Sequence, residues 1–169
     1  MKYFIPSYEQ ALKIVKSNPE MTFYKTEHTV DGYSIHTFSY KLAWYKEFIN
    51  PVDGEDWTAH EMRGLTFVFD KDGSLYNRHI LLNKFWNVNQ NEETLLSNLI
   101  DKEVKAIHDK LDGSIASFVR LPNGKVYGKS KASFSSDQSI QMTELYNSDS
   151  NIKRFVDWSL DNNLVAIFE

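Results

Sequence analysis

No cysteine occurs in the 169 residues, which removes disulfides, thiolate zinc sites and cysteine nucleophiles together and fits a reducing compartment. The histidines, His28, His36, His60, His79 and His108, show no pair at metal-binding spacing, so a histidine-held metal is not expected. Long apolar runs are missing too. Residues 1–6 carry a charge but no stretch long enough for a signal peptide, and no segment approaches a membrane span, so a cytoplasmic protein is expected. Nor is there an excess of positive charge: the formal net charge of -4 argues against a broad non-specific nucleic-acid surface. No repeat or low-complexity segment interrupts the chain. What is present is the composition of an ordinary globular chain, long enough for one domain with a sizeable core.

The elements follow from local pattern. Ser7-Tyr8-Glu9-Gln10 has the form of a capping box, and Ala11, Leu12, Ile14 and Val15 follow at helical spacing until Asn18-Pro19, which predicts a helix over 7–17. Residues 21–30 and 33–40 are aromatic and β-branched around Asp31-Gly32, a strong hairpin signal. Trp44, Tyr45, Phe48 and Ile49 read as a short helical or irregular piece packed on that hairpin. Arg63-Gly64 opens Leu65-Thr66-Phe67-Val68-Phe69, which turns at Asp72-Gly73 into Ser74-Leu75-Tyr76. The Asp70-x-Asp72-Gly73 spacing hints at a calcium loop, yet an EF-hand would want a ligand where Val68 sits and a glutamate where His79 sits, so a hairpin turn is expected.

Further on, 92–99 reads as a helix with Leu95, Leu96 and Leu99 on one side. Residues 125–131 read as a strand that points Lys129 and Lys131 to one face. Helices are expected over 136–146, burying Ile140, Met142 and Leu145, and over 151–160, burying Ile152, Phe155, Val156 and Trp158. A buried strand is expected over 164–169. Short strands mixed with helices indicate an α+β fold with a mainly antiparallel sheet and flanking helices.

One stretch carries chemistry. Residues 104–108 read as a strand that ends at Lys110 and turns at Asp112-Gly113 into a second strand over 114–120, a geometry that holds one amine at a strand end. A protonated lysine is a poor nucleophile; moving its pKa from about 10.4 to about 7.5 takes roughly 4 kcal/mol of differential interaction, which partial burial and neighbouring cations supply. Lys105, Lys129 and Lys131 are the nearby cations. Alone, Lys-x-Asp-Gly favours a solvated hairpin end, because Asp-Gly is a common turn pair. Upstream, Lys84 before Phe85 and Trp86 serves equally as core packing or as a grip on a phosphate and a base face.

Taken together and in order, these pieces resemble a family. Arg63-Gly64 with its strand, Asn83-Lys84-Phe85-Trp86-Asn87, Lys110-Leu111-Asp112-Gly113-Ser114, Lys129-Ser130-Lys131 and Phe168-Glu169 are similar to the ordered motifs of phage RNA ligases of the T4 RNA ligase 1 type. That family lies within the covalent nucleotidyltransferase superfamily of DNA ligases and capping enzymes. Ala132 follows Lys-Ser-Lys where the family pattern has Gly. The later strand with a second glutamate, the strand with a lysine pair and the C-terminal domain of typical members have no counterpart in 1–169. The resemblance therefore implies the N-terminal portion of a ligase adenylation domain, an incomplete ATP-grasp-like nucleotidyltransferase fold.

It also implies roles. Lys110 would attack ATP and carry AMP, then pass it to a 5′-phosphate RNA end for sealing by a 3′-hydroxyl. Arg63, Lys84, Lys129 and Lys131 would stabilise phosphoryl charge, with Mg²⁺ held mostly through waters and phosphates. Gly113 belongs to the nucleophile turn, and Asp112 would orient Lys110 or cap that turn. Phe85 would pack on the nucleotide or in the core. Glu169 would contact the ribose or a metal-bound water. The implied partners are ATP and RNA ends, tRNA among them, in the host cytoplasm if the protein is phage-encoded. A non-catalytic or split remnant that binds nucleotide or RNA ends is the alternative. An open sheet edge at 164–168 leads to the expectation of self-association or a second polypeptide there.

Overall fold

The structure, a computed structural model, describes residues 4–18, 22–110 and 112–169; Met21 and Pro19, expected to start a strand and end a helix, and Leu111 of the lysine motif lie outside them. Helix α1 (Tyr8–Lys16) starts at the anticipated capping box, where Ser7 and Gln10 satisfy each other's backbone N–H groups. Strands β1 (Phe23–Val30) and β2 (Tyr33–Tyr40) form the Asp31-Gly32 hairpin; both turn residues have positive φ, as a right-twisted two-residue turn requires. After α2 (Tyr45–Ile49), strands β3 (Leu65–Phe69) and β4 (Leu75–His79) complete a four-stranded antiparallel sheet in the order β1-β2-β3-β4.

A second antiparallel sheet, β6-β5-β7, is built from β5 (Ala116–Arg120), β6 (Val126–Lys129) and β7 (Ile167–Phe168). Helices α4 (Asp137–Ser148) and α5 (Ser150–Asp161) cover it, and a short helix α3 (Leu96–Leu99) follows a 3-10 turn at Glu92–Thr94. The α+β architecture with antiparallel sheets and flanking helices is the one expected.

Side-chain alternation sorts the core into layers. One face of the first sheet, with Phe38, Leu65 and Phe67, packs on Ala11 and Ile14 of α1 and on Phe48 of α2. Its other face meets the second sheet through Ile35 and Val68 against Val119 and Leu121. The far face of the second sheet packs Phe118 and Val126 on Tyr146 and Val156 of α4 and α5. The site lies where these layers meet.

Several expectations are corrected. Residues 103–110 form no strand and are exposed, so the hairpin around Asp112-Gly113 does not form; β5 pairs with β6 and β7 instead, which leaves 103–110 without a ladder. The helix expected over 92–99 is two short pieces whose leucines Leu95 and Leu96 face solvent. Trp44 does not pack on the hairpin and is 77% exposed. On α4 the buried positions are Ser139 and Tyr146, not Ile140 or Leu145, and on α5 they are Val156 and Ser159, with Phe155 and Trp158 half exposed. The closing strand is two residues long, with Ala166 buried and Ile167 partly exposed.

Candidate active site

Two glycines bring the layers close enough to make a site. Gly64 has φ +86, and a Cβ there would lie 2.6 Å from the Lys131 carbonyl and 3.3 Å from Lys129 Nζ. Its own carbonyl accepts from Lys129 Nζ at 3.1 Å and from Thr66 Oγ1 at 3.1 Å. Gly128 does the same on the far side: a Cβ would strike Met142 Cβ at 2.6 Å and the Ser139 carbonyl at 2.8 Å. The end of β6 is thus held between the start of β3 and α4. The turn after it is fixed by Ser130 N–H donating to Ser133 O and to Ser139 Oγ, and by Thr26 Oγ1 donating to Ala132 O.

A cavity of about 490 Å³ opens at this junction, within the range of small-ligand sites. Its walls include Arg63, Phe85, Lys110, Gly113, Lys131 and Glu169, which come from separate stretches of the chain. Gly113 lies against Glu169, whose Cγ would be 3.2 Å from a Cβ built there. The remaining expected residues sit otherwise. Lys129 is fully buried beneath Gly64, Lys84 places its Nζ 4.1 Å from the centre of the Trp86 ring, and exposed Asp112 is not part of the wall. Lys105 turns outward and pairs with Glu103.

The cationic side of the cavity is short of anions. The Arg63 guanidinium lies 5.7 Å from the centre of the Phe85 ring, and its buried Nη1 has no hydrogen-bond partner. Lys131 Nζ donates to the Tyr40 carbonyl at 3.2 Å and sits 4.9 Å from the centre of that residue's ring. Burial, and then the Arg63 charge, hold Lys131 and Lys84 below the ordinary lysine range; burial alone brings Lys129 to about 7. Aromatic faces partly offset this crowding, and an unpartnered buried guanidinium N–H beside depressed lysines is what a phosphate would satisfy. Among the described residues, Glu169 is the one carboxylate of the cavity wall. A magnesium ion held by a single carboxylate, waters and substrate phosphates fits that donor set, whereas an all-protein metal cage does not. Among the described residues there is no cluster of three or more metal-ligating side chains.

Sequence reasoning missed Leu82, Ser114, Ile115, Ser130 and Gln138, which complete the wall. Ser114 and Ser130 stand within the quoted motifs without having been assigned a role there; Gln138 is on the first turn of α4 and reaches the cavity only through the folded turn at 130–136. Among the described residues no helix is long and apolar enough to cross a membrane. The family model described as RNA ligase, of the T4 RNA ligase 1 type, matches residues 61–169, from the segment before Arg63 to Glu169.

Proposed function

The chain belongs to the T4 RNA ligase 1-like family of RNA ligases, and from that premise we propose that it acts as an ATP-dependent RNA ligase, or as the N-terminal portion of one, with Lys110 as nucleophile. The observation that carries this reading is the convergence of Lys110, Arg63, Phe85, Gly113, Lys131 and Glu169 on one cavity. Lys110 Nζ attacks the α-phosphorus of ATP; a P–N bond forms, the bond to the bridging oxygen breaks, pyrophosphate leaves, and the amine proton passes to solvent. The AMP then moves to an RNA 5′-phosphate, and a 3′-hydroxyl displaces it to form the phosphodiester. Arg63 and Lys131 hold phosphoryl oxygens as charge spreads over them, with Lys84 adding positive potential. Lys129 supports Gly64 from beneath and does not reach the substrate. Phe85 offers a face to the nucleotide, and Glu169 accepts from the ribose or from a metal-bound water. Magnesium, when bound, would be held by substrate phosphates and through water by Glu169, and would supply charge neutralisation.

Incubation with labelled ATP and magnesium tests this. Wild type is expected to take up AMP and Lys110→Ala to take up none. Label retained in Lys110→Ala would overturn the assignment, and labelling by GTP instead of ATP would move the protein toward capping chemistry.

A second reading is favoured by the outer edge of β7 and the run at 103–110, neither of which pairs with a further strand among the described residues. A further strand, from the same polypeptide or a second one, would complete the site, and without it the chain would bind nucleotide or RNA ends without turnover. Absence of label on the 169-residue chain, restored by a longer chain or an added partner, distinguishes this reading from the first.

A further inference from the structure

The loop between β2 and α2 exposes two large apolar side chains. Leu42 is 91% exposed and Trp44 77% exposed, and among the described residues no ring contact holds the Trp44 indole. Tryptophan this open is unusual, because burying its ring is worth more than burying almost any other side chain. The loop is nevertheless firmly held. Lys41 N–H donates to the Thr22 carbonyl, and Trp44 is the N-cap of α2, its carbonyl accepting from Glu47 N–H at 3.0 Å and its own N–H donating to the Glu47 carboxylate. The indole is therefore presented by a fixed backbone.

Both ends of the loop touch the site. On one side, the Tyr40 ring and carbonyl take Lys131 Nζ, and Lys131 lines the cavity. On the other, Tyr45 packs edge-on against Trp86, over which Lys84 lies, next to Phe85 of the cavity wall. Trp44 thus lies on the short segment that joins these two contacts. Charge there is mixed: Lys41 is exposed and lies 5.9 Å from the centre of the Tyr24 ring, Lys46 is exposed on α2, and Lys84 and Lys131 follow inward, while of the nearby carboxylates Glu47 is taken up by the Trp44 N–H and Glu93 is bonded to Tyr45 with Glu92 beside it, which leaves the Lys41 side of the loop as the one open to a polyanion. Aromatic faces interleaved with lysines form the recurring surface for single-stranded nucleic acid, with bases stacking on rings and the backbone tracking the cations.

We propose that Trp44 is a stacking platform for a base of the single-stranded RNA that enters this site, with Lys41 on its phosphate backbone. The proposal rests on the RNA-ligase reading for its choice of RNA over other polyanions. Stacking is tolerant of base identity, so the platform seats an RNA end without selecting its sequence.

Fluorescence anisotropy of a labelled single-stranded oligoribonucleotide, titrated with the 169-residue chain, is the test. Trp44→Ala is expected to weaken binding roughly tenfold and Trp44→Phe to restore most of it. Lys41→Ala is expected to lower the slope of log affinity against log salt by about 0.7. AMP uptake at Lys110 is expected to be unchanged in all three variants. Undiminished affinity in Trp44→Ala would overturn the proposal, as would loss of self-association in that variant with RNA affinity intact, which would make Trp44 a protein contact. Trp44-dependent RNA binding in a chain that takes up no AMP, alone or with a longer chain or added partner, would leave the platform standing and remove the ligase mechanism, so the two failures are separable.

Discussion

Lys129 shows what a single residue does here. Its ammonium is fully buried and donates to one carbonyl, and burial brings it to about 7 against an ordinary value of 10.5. Between those values the unfolded chain holds a proton that the folded chain has lost, so this residue makes stability rise with pH across the window; below it both states are protonated and the dependence vanishes. Thermal unfolding of wild type beside Lys129→Met, from about pH 7 to about pH 9, is expected to shift in favour of wild type as pH rises. A constant difference would mean that the ammonium stays charged in the fold. The sequence placed Lys129 and Lys131 on one strand face, and only half of that survives. Lys129 ends β6 and points between the sheets, whereas Lys131 lies beyond the strand, where the Ser130–Ser133 turn redirects it to the cavity. Period-two reasoning holds only while the ladder lasts.

At the level of elements, the first cap and the first hairpin were legible because their chemistry is local, whereas the Asp112-Gly113 turn signal failed for want of a partner strand. Ser7 with Gln10, and Asp31 with Gly32, need no distant partner to do their work. The faces of α4 and α5 were not legible. Apolar periodicity favoured Ile140 and Leu145, but β6 comes so near at Gly128 that the facing position takes a small residue, and Ser139 fills it with a hydroxyl bonded to Ser130 N–H, Ser133 O and Ser136 Oγ. Ser136 is also the N-cap of α4, accepting from Ser139 N–H. Replacing Ser136 with Ala is expected to cost about 1 kcal/mol, measured by denaturant unfolding. Because α4 carries Gln138 to the cavity and fixes the turn bearing Lys131, ATP affinity is expected to fall with it. A stability change confined to a few tenths of a kcal/mol would show that the remaining serines re-cap the helix.

For the molecule as a whole, the α+β layering could be read from the chain, while the fate of 103–110 could not. Its strand-like composition is real, yet a strand needs an edge, and β5 already has β6 on one side and β7 on the other. Hydrogen exchange on the isolated chain is expected to find amides 103–110 unprotected and those of β5 protected. Protection of 103–110 would show that a copy of the chain or another strand has supplied the edge. The site residues were legible as ordered motifs and illegible as a shape, since no local pattern reports that Arg63 and Glu169 share a wall.

That shared wall has a consequence for how the protein fails. Its pieces are contributed by layers with separate cores, joined through the Gly64 contact and the Ile35–Val68–Val119–Leu121 seam. Loosening the seam parts Arg63 from Lys131 before either core melts, so heat or denaturant would silence the chemistry while helix and sheet content remained intact.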